Sequence, residues 1–177
     1  DAVDKAGLGE VYRNNVQWGL DYVMQADRGD KVIGTIGDFT GGSTDHNIWC
    51  SAEVYLRKHH LNNGDWERPY DEIADSCTIA LCAAALAQGY IIFKDDQPDK
   101  AAAYLAQAEK YFKTADSIRD NENGAMGSMY KPSSWVDDCM YAANWLYMAT
   151  GDKSYLDKIE SDYIPQFPTE SQSTDWK

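Results

Sequence analysis

Two short stretches carry residues whose types and spacing suit chemistry. The first is Asp45-His46-Asn47-Ile48-Trp49, preceded by Ile36-Gly37-Asp38 and followed by Glu53. An indole face packs on the apolar face of a sugar ring, and an adjacent imidazole bonds hydroxyls, so His46 and Trp49 suit a carbohydrate platform. The same residues also suit a plain loop in which Asp45 caps a turn, His46 bonds to it and Trp49 fills a core. The second stretch is Ser133-Ser134-Trp135-Val136-Asp137-Asp138. Serine caps free amides and acids complement the helix dipole, so it suits an ordinary helix start. It also suits calcium, which takes about six to eight oxygens; two carboxylates with serine or main-chain oxygens make half such a set.

Other chemistries lack support. Cys50 with His46, His59 or His60 gives too few ligands for zinc, and there is no CxxC. There is no Gly-x-Ser-x-Gly, and Gly41-Gly42-Ser43 lacks the Gly-Lys-Ser of a phosphate loop. Glycoside hydrolysis needs two carboxyl groups. Asp45, Asp95-Asp96 and Asp137-Asp138 supply carboxyls, but none lies in a catalytic pattern, so no catalytic residue is assigned within this chain.

The elements that must position these residues read as helices. The chain has 177 residues, enough for one domain with a real core, and 44% are apolar, which argues against disorder. Six Trp and twelve Tyr allow a carbohydrate partner. A net charge of −13 excludes the basic surface that nucleic acid needs and disfavours an anionic membrane surface. The most apolar stretch, 79–93, is interrupted by Cys82, Gln88 and Gly89, and is read as too short for a membrane span. The start at Asp1, with no signal-like stretch, suits a mature secreted protein or an excised piece. Cys50, Cys77, Cys82 and Cys139 are read as thiols rather than a disulfide framework.

A first helix is expected over about 9–26, with Leu8, Val11, Tyr12, Val16, Leu20, Val23 and Met24 at helical spacing. Residues 31–36 read as extended, and Asn62-Asn63-Gly64-Asp65 as a turn. A long helix is expected over about 70–93. It is apolar on nearly every side, hence interior, and it should leave an apolar patch where an arc lacks cover. Pro98 opens the next helix, with Ala101, Tyr104, Leu105, Ala108, Tyr111, Phe112 and Ala115 on one face. Another spans 134–150, capped by Ser134 and closed by Gly151. A last one spans 152–163, ended by Pro165 and Pro168. About five helices with long connections suggest an all-α toroid or solenoid arc, without an internal domain boundary.

Five segments in order resemble glycoside hydrolase family 9, the cellulases of the (α/α)6 barrel. They are the two stretches above, the helix with Trp18 and Asp21-Tyr22, the Ala83-Ala84-Ala85-Leu86-Ala87 helix ending in Phe93-Lys94, and Ala115-Asp116 with Arg119. Tyr141 through Trp145-Leu146-Tyr147 to Gly151 extends the second stretch. The resemblance implies that residues 1–177 are the central part of one catalytic domain, a partial toroid of about five helices. It implies an inverting, secreted endo-β-1,4-glucanase acting on β-glucan, with the remainder of the barrel as partner. His46, Trp49 and Tyr130 would contact substrate, while Asp45 and Glu53 would hold their loop. Ser133, Ser134, Asp137 and Asp138 would hold a structural calcium, matching the family's Ser-Gly-Tyr-x-Asp-Glu with Ser134 for Gly and Asp138 for Glu. The family's base, in an Asp-Ala-Gly-Asp stretch, and its acidic Glu match nothing here, so both would lie outside this chain. An exo-glucanase or hemicellulase on the same toroid, or a non-catalytic carbohydrate-binding module, are the alternatives.

Overall fold

The computed structural model describes residues 2–37, 49–51, 53–54, 70–121 and 132–166. Asp45, His46, Tyr130 and the turn expected at Asn62-Asn63-Gly64-Asp65 lie outside the described residues. The elements are α1 (Ala2–Lys5), α2 (Gly9–Gln25), a hairpin of β1 (Val32–Ile36) and β2 (Tyr70–Ile73), then α3 (Ser76–Phe93), α4 (Pro98–Ile118) and α5 (Val136–Thr150). The chain ends in a continuous helical run of α6 (Ser154–Lys158), a π-turn (Ile159–Tyr163) and α7 (Ile164–Gln166). Counting that run once, the described residues hold five substantial helices, an all-α arc of the (α/α)6 toroid.

The arc is organised around α3. Ten of its 18 residues are buried, including Ile79, Leu86, Phe93 and four alanines. Its neighbours present small residues to it. On α4, Ala101, Ala108 and Ala115 recur every two turns and are fully buried; on α5, Ala142 and Ala143 are. Small side chains let helix axes approach closely, and the gaps are filled by Tyr104, Tyr111 and Leu146.

Helix α2 lies on the same core more lightly, with Leu20 as its one buried residue. Its fit depends on Gly89 of α3, where an added Cβ would stand 2.6 Å from Leu20 Cδ1 and 3.2 Å from Tyr104 Cδ2. Polar ties to α4 do the rest. Asp21 accepts from Tyr104 Oη at 2.6 Å and from Lys100 Nζ at 2.8 Å. Gln97 Nε2 donates to Gln17 Oε1 at 2.9 Å, and Lys110 Nζ pairs with Asp27 at 2.6 Å. The opposite stripe of α2 stays open, with Trp18 79% exposed beside Leu8, Val11, Tyr12 and Tyr22.

Three expectations need correction. The long helix starts at Ser76, not near residue 70; Tyr70–Ile73 is a strand paired antiparallel with Val32–Ile36. The reason is local: Asp75 is extended (φ −127°, ψ 149°) and its carboxylate caps Thr78 N, so the helix cannot begin earlier. The apolar segment is also longer than the 79–93 reading allowed. Ser76–Phe93, 18 residues with mean hydropathy 1.7, is long and apolar enough to cross a membrane, but 56% of it is buried in the arc, as in a core helix. Finally, Pro165 does not end the last helix. Ile164 N bonds Ile159 O, five residues back, and this wider turn accommodates a residue without an N–H.

Two outcomes follow for the full-length protein. Gly89→Ala forces Leu20 from its seat and lowers stability by about 1–3 kcal/mol; an unchanged denaturation midpoint would show that α2 does not depend on this contact. For Asp21, burial acts to raise the carboxyl's pKa, but hydrogen bonds from Lys100 and Tyr104 outweigh it and the net shift is downward from 3.8. Its contribution is therefore present above the unfolded value and lost as pH falls through the lower folded one. Melting curves between about pH 5 and pH 2 should fall more steeply for the wild type than for Asp21→Asn; parallel curves would remove Asp21 from the linkage.

Candidate functional site

The Ser133–Asp138 turn lies against the N-terminal end of α3. That end is built by Ser76, which joins two helices. Ser76 N donates to Asp120 O at 2.8 Å, Ser76 Oγ donates to Ala115 O at 2.8 Å, and Asp120 N donates back to Ser76 Oγ at 3.1 Å. Both long connections are closed at their bases. Ile36 pairs with Tyr70 across the hairpin, and Asn121 Nδ2 donates to Pro132 O at 2.7 Å. The first connection carries Trp49, whose ring is 95% exposed. On the same segment Val54 N donates to Ser51 Oγ at 3.4 Å, and Glu53 is exposed. The carboxyl of Glu53 lies below its ordinary range through bonds from its own backbone amide and from Ser51.

The turn ahead of α5 is held from α3. Cys77 Sγ donates to Ser134 O at 3.3 Å, and Val136 N donates to Ser134 Oγ at 3.1 Å. Ser134 thus caps α5 from one residue farther out than expected, since the helix starts at Val136 with Trp135 as its cap residue. Ser133 and Asp137 are exposed, whereas Asp138 is half-buried. Burial pushes the Asp138 carboxyl up to about 6; the Cys77 thiol opposes this, and the charges of Asp137 and Asp75 add to it. Among the described residues no group of three or more His, Cys, Asp or Glu is placed to hold a metal ion. A cation here would therefore draw on serine and main-chain oxygens as well as carboxylates. All four cysteines are free, Cys77 and Cys139 buried and Cys50 exposed.

Sequence reasoning passed over Asp75. It is fully buried; Oδ1 accepts from Thr78 N at 2.8 Å, and Oδ2 has no partner among the described residues. The signal was available: an acid three residues before Thr78, with the extended-type run Tyr-Asp-Glu-Ile in front of it. Starting the helix at residue 70 concealed that cap.

The family model for glycosyl hydrolase family 9 matches residues 1–177. Endoglucanase B of Cellulomonas fimi is 34% identical over 96% of this chain, which spans 16% of that relative. The solved structure of endoglucanase CelQ from Clostridium thermocellum, complexed with cellotriose, superposes with a TM-score of 0.78 at 37% identity, over 96% of this chain and 26% of that one. The endoglucanase of the termite Nasutitermes takasagoensis gives 0.77 at 27% identity, over 93% and 37%. With the helical arc and a family match over residues 1–177 in agreement, the chain belongs to glycosyl hydrolase family 9.

Proposed function

We propose that this chain forms part of a secreted endo-β-1,4-glucanase and lines one side of its cleft. One observation carries the reading: Trp49 presents a fully open indole on a connection closed at its base by the hairpin. An indole open to solvent is free to stack on a glucose ring. The relative solved with cellotriose supports a cello-oligosaccharide in that role. His46 and Tyr130 join Trp49 as substrate contacts in this reading. Hydrolysis proceeds with inversion: one carboxylate activates water while a carboxylic acid protonates the leaving oxygen. Those two groups come from outside this chain, and the open stripe on α2 is covered by the remainder of the barrel.

Ser133, Ser134, Asp137 and Asp138 would hold calcium. Their donors are all hard oxygens, and the raised Asp138 carboxyl, beside Asp137 and Asp75, is a site where a cation relieves repulsion. Calcium there would brace the turn and take no part in the hydrolytic step.

In the full-length protein, Trp49→Ala should weaken cellotetraose binding by about 1–3 kcal/mol, taking base–aromatic stacking as the guide, with little change in melting temperature. This chain expressed alone should release no reducing sugar from soluble cellulose. Unchanged affinity in the first assay, or turnover in the second, would overturn the corresponding assignment. Calcium added after chelation should raise the melting temperature of the full-length protein, because a ligand of the folded state stabilises it. Asp137→Ala should abolish that gain, and a wild type indifferent to calcium would remove the site.

A further inference from the structure

We propose that Arg119 is a positioning residue: its guanidinium, clamped by Asp116 and Asp162, fixes Trp135 and so sets the turn that carries Ser133, Ser134, Asp137 and Asp138. The proposal rests on the reading of that turn as a cleft-side calcium site.

Arg119 is the only non-glycine residue with positive φ among the described residues, at φ 53° and ψ 41°. It ends α4 in the left-handed conformation, where a Cβ is unfavourable and glycine is the usual occupant. As a stop signal arginine is therefore inferior to glycine. What arginine adds is its side chain, and that side chain is fully engaged.

Its Nε donates to Asp116 O at 2.9 Å and one terminal nitrogen donates to Asp116 Oδ1 at 2.9 Å. The two terminal nitrogens also grip both oxygens of Asp162, on the π-turn; one of these bonds measures 3.1 Å. Such a two-point grip fixes the plane of the guanidinium, which a lysine ammonium cannot do. The partners are themselves held. Tyr163 Oη donates to Asp116 Oδ1 at 2.7 Å, and Lys158 Nζ meets Asp116 Oδ2 at 2.8 Å and Asp162 Oδ2 at 3.3 Å. The π-turn lets this happen, since the run from Lys158 to Tyr163 aims Lys158, Asp162 and Tyr163 at one point.

The fixed guanidinium stands over the Trp135 ring, 5.5 Å from its centroid, and Tyr163 meets the same ring edge-on at 6.1 Å and 85°. Trp135 is the residue after Ser134 and lies two before Asp137. Its backbone lies between Ser134 and Asp137, so a ring held in one place anchors the chain between those oxygen donors. The turn is also tied through Pro132 O to Asn121 and through Ser134 O to Cys77, and Arg119 adds a third hold through Trp135. The charges agree with the geometry: burial would raise the Asp116 carboxyl, but the bonds from Lys158, Tyr163 and Arg119 bring it below its ordinary value.

The test uses the full-length enzyme with Arg119→Gly and Asp162→Asn. Glycine suits the left-handed backbone, so if Arg119 only ends α4 this variant should match the wild type. If Arg119 positions the turn, titration with calcium chloride should show affinity falling about tenfold or more, as for residues that orient metal ligands. KM for cellotetraose should rise several-fold with kcat nearly held, and Asp162→Asn should shift both in the same direction. Calcium affinity and KM equal to wild type would overturn the proposal. If the wild type binds no calcium, the calcium reading fails by itself, and KM then decides: raised KM upholds the clamp and unchanged KM overturns it. If Arg119→Gly does not fold, Asp162→Asn decides by the same criteria.

Discussion

A helix without a polar face must be covered on every side, and α3 imposes that requirement on everything around it. Its mean hydropathy and its alanines leave no direction in which it could face water over its length. The neighbours meet it over ten of its 18 residues by close approach, while Leu81 stays 47% exposed. Alanines at 101, 108 and 115 bring α4 in, Ala142 and Ala143 bring α5 in, and Gly89 admits Leu20 of α2. The tyrosines that fill the remaining volume keep their hydroxyls at the rim, where Asp21, Val23 O and Asp116 accept from them. Burial and hydrogen bonding are thus met by the same side chains.

The middle of α3 is apolar, and the buried polar residues Asp75 and Ser76 lie at its start. The N-terminal end of α3 is where backbone amides remain unpaired and where acids are favoured. Asp75 and Ser76 occupy it, and Ser76 welds it to the end of α4. The second long connection, between Asn121 and Pro132, leaves from beside it. The 133–138 turn is therefore attached to this junction through Cys77, Asn121 and Trp135 together. In the proposed reading as a cleft wall, such a hold keeps contacts in place, since a misplaced contact loses both affinity and orientation.

Much of the framework was legible along the chain. The seven-residue spacing in α4, Pro98 at its start and Gly151 after α5 were readable because each acts locally, through periodicity, a fixed φ or a left-handed cap. The start of α3 was misread because Tyr70–Ile73 is apolar at Tyr70 and Ile73 and adjoins a helical pattern. Only its pairing with Val32–Ile36, about forty residues away in sequence, makes it a strand. The continuation through Pro165 was missed for a related reason: a π-turn has no composition signal, and its widened spacing is set by what Lys158, Asp162 and Tyr163 reach across to.

The candidate site divides along the same line. His46, Trp49, Tyr130, Ser133, Ser134, Asp137 and Asp138 were named from residue type and motif order, and the family followed from five segments in sequence. Residue type fixes what a group can do, and motif order survives without coordinates. Asp75, Cys77 and Arg119 were not legible as parts of the site. Their importance depends on which atoms face them: a thiol against Ser134 O, a carboxylate buried beside Asp138, a guanidinium over Trp135. The sequence by itself determined the helices, their apolar faces and the kinds of chemistry available. Tertiary structure alone decided where those helices meet, and so which distant residues hold the turn in place, because a contact between residues 119 and 162 has no trace in local spacing.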